Sequence, residues 1–420
     1  MSLSNRFRLD PNTFGALRSN RFKIFLFTQA IAMTGVWIQK IATSWLVYRL
    51  TESSFKLGLI ELLGNAPMFI IGLIAGAWLD KHDKRKTLIA AQLFIVIHSL
   101  VLSFLTYTDL IQYWHILLLS LFMGITIAIE LPARQSALLL MIDKKEYIKS
   151  AVSLQSIVFN TSRLVGPSIA GFIIYYLGEK WCFIISTILF IPVVVTFFFL
   201  KFNADVKNTT SNKKNMFQDV VEGIKYVKNY RPLRIMFVFL SVFGFFSYTY
   251  AVMFPIYAKD ILGGQSQLLG FLMGFFGLGA IFGAFTVASK MNLNSMAKSI
   301  SKASFLYVFF MFIFAISTNE IISLLAVIPA GFGLIATFIG SNTMFQFVSA
   351  DHMRSRVISL YLITNVGLGP IGCFVAGYLM EYISPQTTMV IWCIIMFLAS
   401  LYLFINLKHA KSTKDTRLTV

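Results

Sequence analysis

Twelve apolar stretches, each about long enough to cross a bilayer as a helix, constrain this chain more than any other feature. They run over 22–49, 57–80, 87–106, 114–140, 151–178, 181–201, 233–258, 266–288, 300–317, 321–349, 357–381 and 386–407. The hydrocarbon core is about 30 Å thick, so a spanning helix needs about 20 mostly apolar residues. Lipid offers no partner to a bare backbone amide, so single spans must be helical. The longer runs require tilt or extension past the membrane. The chain is 57% hydrophobic and 13% charged, against about 45–50% apolar and about 25% charged in soluble domains. The fold class this predicts is an all-α polytopic membrane protein with twelve transmembrane helices.

Most connections are short. The exception, 202–232, reads "FNADVKNTTSNKKNMFQDVVEGIKYVKNYRP" and divides the spans six and six. The expected organisation is an N-terminal six-helix bundle over 1–201, a central loop over 202–232, and a C-terminal six-helix bundle over 233–420 with a short tail. Within the loop, Phe217, Val220, Val221, Ile224 and Val227 are spaced to share one face of a surface helix.

The net charge of +18 comes from 36 basic and 18 acidic residues. Of the basic residues, 29 fall on the termini and alternate connections, and four (Arg49, Lys56, Lys180, Lys259) on the opposite side. The positive-inside rule then places both termini and the central loop in the cytoplasm. It accounts for the positive charge without a nucleic-acid partner. The polar, basic first 21 residues precede an apolar run too long for a signal-peptide core, so that run is expected to remain as a helix. Cys182, Cys373 and Cys393 all lie inside apolar runs. There they read as buried small hydrophobes, with neither a disulfide framework nor a metal site.

The halves echo each other. "GLIAGA" at 72–77 returns as "GAIFGA" at 279–284, "AVSL" at 151–154 as "VISL" at 357–360, and "GPSIAG" at 166–171 as "GPIGCF" at 369–374. The offsets are 207, 206 and 203 residues. A parallel duplication of six helices is a repeat plan of secondary transporters.

The stretch "GAWLDKHDKRK" at 76–86 ends the second span. Charge topology explains Lys81, Lys84, Arg85 and Lys86, but not Asp80 or the Gly72/Gly76 spacing, which lets another helix approach closely. Gly76, Asp80, Lys81 and the basic cluster resemble the loop motif of the major facilitator superfamily, with Asp83 where that motif usually has glycine. "ELPARQSALLLMI" at 130–142 and "AVSLQSIVFNTSRLVGPSIAG" at 151–171 resemble the bacterial efflux branch that includes enterobactin and similar siderophore exporters. Macrolide efflux pumps are more distant relatives of that branch. The resemblance implies two pseudo-symmetric bundles working by alternating access, in the bacterial inner membrane. It further implies that Asp80 pairs with Arg134 as a gating latch, and that Gly166 and Pro167, with Gly171, belong to an antiporter motif on the fifth helix. A proline there also removes one helical hydrogen bond and kinks the helix.

Ionisable groups inside lipid are costly, about 2.5–3.5 kcal/mol each at the centre on insertion scales. Lys40, Glu61, Glu130, Arg134 and Arg163 fall inside spans. Glu130 stands four residues before Arg134, the order that favours an ion pair. Glu130 and Glu61 are the candidate proton carriers, with Arg163 as a coupling cation and Glu130 preferred, because helices 1, 4, 7 and 10 line the cavity in the resembled superfamily. His98 and His115 read as packed or interfacial imidazoles. Trp37, Gln39, Lys40, Tyr248, Tyr250, Asn342 and Gln346 are the candidate substrate contacts.

The function this predicts is proton-driven export of a small amphipathic molecule, first a siderophore, with multidrug or macrolide efflux as the alternative. Expected partners are the small-molecule substrate, protons and membrane lipids, with no nucleic acid, no cofactor and no metal, and the transporter working as a monomer. An enzyme is not expected: the sequence holds no HExxH, GxSxG, P-loop or Cys/His cluster.

Overall fold

The computed structural model describes residues 15–410, apart from 69–70, 72–74, 76–77, 80–81, 143, 201–215, 291–295 and 351–352. Among the described residues every regular element is a helix, and eleven helices are long and apolar enough to span a membrane. The predicted second span begins as a helix at Ser54 and then runs into residues outside the described set.

The chain forms two compact units: Met1–Thr43 with Pro67–Thr209, and Ser44–Ala66 with Thr210–Val420. Helix α1 (Asn20–Thr51) contributes to both.

The first unit adds α3 (Lys84–Tyr107), α4 (Tyr113–Leu140), α5 (Ile148–Leu177) and α6 (Glu179–Phe199). Its core clusters Phe22, Phe25, Leu88, Ala133, Phe190 and Phe197, all nearly or fully buried. The start of α3 explains the unusual Asp83. Its Oδ1 accepts from the amides of Arg85 at 2.8 Å and Lys86 at 3.2 Å, an N-cap that serves donors with no partner inside the helix. Its backbone is extended, φ −67° and ψ 111°, so the position does not need glycine.

The second unit holds α2 (Ser54–Asn65), α7 (Met216–Asn229), α8 (Arg231–Ser247), α9 (Tyr250–Ile256), α10 (Ser266–Lys290), α11 (Met296–Ile316), α12 (Glu320–Val348), α13 (Arg354–Leu362), α14 (Leu368–Tyr382) and α15 (Pro385–Ala410). Helices α10 and α12 pack backbone to backbone. A Cβ on Gly283 would stand 2.6 Å from the Phe332 carbonyl oxygen, so only glycine fits the approach. The predicted seventh span is broken at Tyr248–Thr249 and continues through α9 into a π-helical turn, Tyr257–Ile261. A second π turn, Ile363–Gly367, separates α13 from α14. Such turns recur at functional positions because they leave backbone groups unpaired and redirect side chains.

Helix α7 forms as the loop pattern predicts, but its seated edge differs. Gly223 and Val227 face inward, with Gly223 against Arg356 and Leu360 of α13, while Val221 and Ile224 are each 47% exposed. The side chains of Phe217 and Val220 lie outside the described residues. Large apolar side chains such as Phe199, Phe285 and Ile321 are exposed, a costly arrangement in water and a neutral one in lipid.

Candidate functional site

The first unit gathers cations around one indole. Helix α1 carries Trp37 and Lys40 one turn apart, and α5 brings Arg163. The Lys40 Nζ lies 5.9 Å from the centre of the Trp37 ring and the Arg163 Cζ 5.7 Å from it. At such distances the ring quadrupole attracts both charges. The Trp37 Nε1–H is buried and has no acceptor among the described residues. Gly166 makes this meeting possible: a Cβ there would lie 2.5 Å from the Trp37 Cβ and 3.1 Å from the Thr34 carbonyl oxygen. Pro167 follows inside α5, which stays helical through it.

Deeper in the same unit, Glu130 and Arg134 of α4 are both buried, at 4% and 8% exposure. Their pairing predicted from spacing is present: Arg134 Nε stands 3.3 Å from Glu130 Oε1. The angle is poor for a hydrogen bond, and this Nε–H has no acceptor of good geometry among the described residues. Glu130 Oε1 instead accepts from Gln92 Nε2 of α3 at 3.0 Å. Arg134 Nη1 points toward the Met33 sulfur of α1. Gly76, Asp80 and Lys81 lie outside the described residues, and with them the expected Asp80–Arg134 latch. Arg85 of the same motif donates from Nε to the Phe197 carbonyl at 3.1 Å and from Nη2 to that of Phe198. It thereby serves carbonyls at the C-terminal end of α6 that lack partners within the helix.

Gln39 is placed differently from its neighbours on α1. It is 6% exposed, approaches His98 Nδ1 at 3.3 Å, and accepts from Ser99 Oγ at 2.9 Å. Thr187 of α6 donates to Ser99 at 2.8 Å. Gln39 therefore ties α1 to α3 and α6. His98, buried at 6% exposure, is the packed imidazole that the sequence predicts.

In the second unit a relay of polar groups surrounds the π turn of 363–367. The Tyr248 hydroxyl donates to Asn365 Oδ1 at 3.2 Å, Asn365 Nδ2 donates to the Tyr361 hydroxyl at 2.6 Å, and Tyr361 donates to the Phe338 carbonyl at 3.0 Å. Tyr248 also stacks on Phe338 with ring centres 5.5 Å apart. Tyr250 is 7% exposed and packs on Phe276 at 4.4 Å, in the aromatic core. Asn342 accepts from Gln346 at 3.0 Å along α12. Glu61 of α2 meets Asn65, whose amide donates to its backbone carbonyl at 2.8 Å.

The sequence reading missed a set of contacts between α2 and α14. Glu381 accepts from Ser53 Oγ at 3.1 Å, Ser54 Oγ at 3.0 Å and the Phe55 amide at 3.2 Å. Ser54 Oγ also reaches the Gly377 carbonyl at 2.8 Å. Nearby, Tyr48 donates to Asp260, and Lys259 pairs with Glu52 at 2.8 Å. The Lys259 ammonium holds the Glu52 carboxyl below its ordinary range. These pairs join residues 207 to 328 positions apart, so no local pattern announces them. The one signal in the sequence is an acid at the C-terminal end of each of three apolar runs, Glu52, Asp260 and Glu381.

A family model described as transmembrane secretion effector matches residues 11–418. The chain belongs to that family, and is a major facilitator efflux transporter. It is 23% identical to the staphyloferrin A transporter of Staphylococcus aureus, over 83% of this chain and 87% of that protein. It is 23% identical to the multidrug efflux pump Tap of Mycolicibacterium fortuitum (87% and 90% covered), and 22% identical to macrolide efflux protein A of Streptococcus pyogenes (68% and 72%). Among solved structures it resembles the nucleoside transporter NupG, with TM-score 0.71, 13% identity, and 93% and 99% of the two chains covered. It also resembles a bacterial homologue of the human lysosomal transporter Spinster in an inward-facing, unoccupied conformation (TM-score 0.68, 10% identity, 95% and 97% covered). Those two likenesses carry the fold alone. The protein is thus a multi-pass membrane transporter of small molecules, in a family of transporters rather than enzymes.

Proposed function

We propose that this transporter exports a small anionic amphipathic molecule of the siderophore class, a polycarboxylate or catecholate, in exchange for protons. The observation that carries this reading is the pair of cations, Lys40 and Arg163, set on Trp37 beside its buried indole N–H. Two positive charges inside membrane spans favour an anionic guest, and the ring offers a face to an aromatic one. A cationic macrolide would meet repulsion there. The likeness to a staphyloferrin A transporter supports the same class.

Proton coupling is assigned to Glu130. In this reading Arg134 alternates between Glu130 and Asp80 as the two six-helix halves, 1–201 and 233–420, undergo alternating access. When Arg134 turns to Asp80, Glu130 loses its counter-ion. In this reading Glu130, 4% exposed, is the group that carries the proton while Arg134 is turned to Asp80 and releases it when Arg134 returns. Glu61 is the second candidate carrier. Both termini face the cytoplasm of a bacterial inner membrane, and the working unit is one chain.

The test is binding to the purified full chain, read by tryptophan fluorescence, of a polycarboxylate or catecholate siderophore and of a cationic macrolide. The siderophore is expected to bind, more weakly at high salt and weakly to Arg163→Gln. Macrolide binding without siderophore binding would move the assignment to drug efflux.

A further inference from the structure

Away from the polar clusters, α11 and α15 enclose a groove of about 560 Å³. Its walls are apolar apart from one residue. Phe305, Phe309 and Phe312 of α11 and Ile394 and Phe397 of α15 form most of the surface, and Lys302 closes one end. The groove has a firm floor: Phe305 packs on Phe397 with centroids 5.4 Å apart and on Phe404 at 6.4 Å. Its rim is open, with Phe309 59% and Ile394 52% exposed.

Three features decide what fills it. The first is length. From Lys302 to Phe312 the helix rises about 15 Å, half of the roughly 30 Å hydrocarbon core. The groove therefore runs from one membrane face to the midplane, the depth of one leaflet. The second is charge. Lys298 and Lys302, both exposed, occupy one face of the first turns of α11, and Lys408 lies in the last turn of α15. Neither helix contains an aspartate or glutamate, so nothing on either neutralises this end. The third is position. The end of α10 and the start of α11, which carry Lys290, Lys298 and Lys302, are on the positive side of the charge asymmetry, the side of the anionic cytoplasmic leaflet.

We propose that this groove is a binding site for one anionic phospholipid of the cytoplasmic leaflet. An acyl chain lies between α11 and α15, and the phosphate is held by Lys302 and Lys298. A zwitterionic lipid offers the same chain but carries a compensating cation into a site that already has two. The inference rests on the membrane topology and is independent of which solute the transporter carries.

The experiment is native mass spectrometry of the full chain released from nanodiscs made with equal phosphatidylglycerol and phosphatidylcholine. One phosphatidylglycerol is expected to survive collisional activation, preferred about fivefold over phosphatidylcholine for each lysine engaged. Lys302→Gln should cut the preference about fivefold and leave chain binding intact. Ile394→Trp, which fills the groove without adding charge, should remove retained lipid of both kinds. Equal retention of the two lipids by the wild type, or a preference unchanged in Lys302→Gln, overturns the proposal. So does lipid retention unchanged by Ile394→Trp.

Discussion

Replacing Glu381 with alanine tests the structure where it is most explicit. Three donors on or just before α2 converge on this carboxylate: Ser53 Oγ, Ser54 Oγ and the Phe55 amide, at 3.0–3.2 Å. Buried charge-assisted hydrogen bonds contribute about 1.5–3 kcal/mol each. Glu381 is exposed, so solvent screening reduces this to about 0.5–1 kcal/mol each, in line with exposed ion pairs. Three such bonds give about 2 kcal/mol, or roughly 30-fold in the equilibrium between a closed and an open α2–α14 seam. Glu381→Gln keeps one good acceptor and should show a smaller shift. The reporter is Leu57, 1% exposed on α2, changed to cysteine in a chain whose Cys182, Cys373 and Cys393 have been replaced by alanine. When opening is brief, the rate of labelling by a membrane-impermeant maleimide follows the open population. Glu381→Ala should raise that rate roughly 30-fold. The reasoning is refuted if the variant inserts and folds yet labels at the parent rate.

Glu130→Gln leaves the buried Arg134 without its counter-ion and should cost about 3–5 kcal/mol as well as abolish export. Adding Arg134→Gln should recover the thermal midpoint but not the transport. Gly166→Val drives a side chain into Trp37 and Thr34; about 1–3 kcal/mol of overpacking should appear as a lower thermal midpoint together with weaker siderophore binding. The Lys259–Glu52 pair gives a pH signature. Because the folded-state carboxyl is depressed, the contact stabilises above the ordinary carboxylate value and is lost as pH falls through the depressed one. A thermal-midpoint profile should therefore decline more steeply over that acid window in the parent than in Lys259→Met, and superimposable profiles contradict the pairing.

The spans were legible in the sequence because lipid imposes a simple rule. Predicted 87–106 is observed as Lys84–Tyr107, and 321–349 as Glu320–Val348. Glu130–Arg134 was legible too, being a contact four residues apart on one helix. The breaks were not. Tyr248–Thr249 and the π turn Ile363–Gly367 sit inside apolar runs, and the π turn Tyr257–Ile261 begins at the end of one; hydropathy carries no signal for backbone geometry at any of the three. Gln39 is a candidate substrate contact by its polarity within a span; its contacts with His98 and Ser99 of α3 come from tertiary packing, which the sequence of α1 alone does not carry. The Glu381 contacts depend on tertiary packing between segments more than 300 residues apart. Asp83 shows the reverse case: a departure from the family loop pattern became intelligible once its side chain was seen capping α3.

The central claim is exchange of an anionic solute for protons through a path lined by Lys40 and Arg163. Its most direct test uses the purified full chain in proteoliposomes, with a polycarboxylate or catecholate siderophore on one side and an imposed pH step. Solute movement against its gradient, abolished by a protonophore and by Glu130→Gln, is the predicted result. Siderophore flux that ignores the pH step, or an absence of flux from a correctly inserted protein, contradicts it.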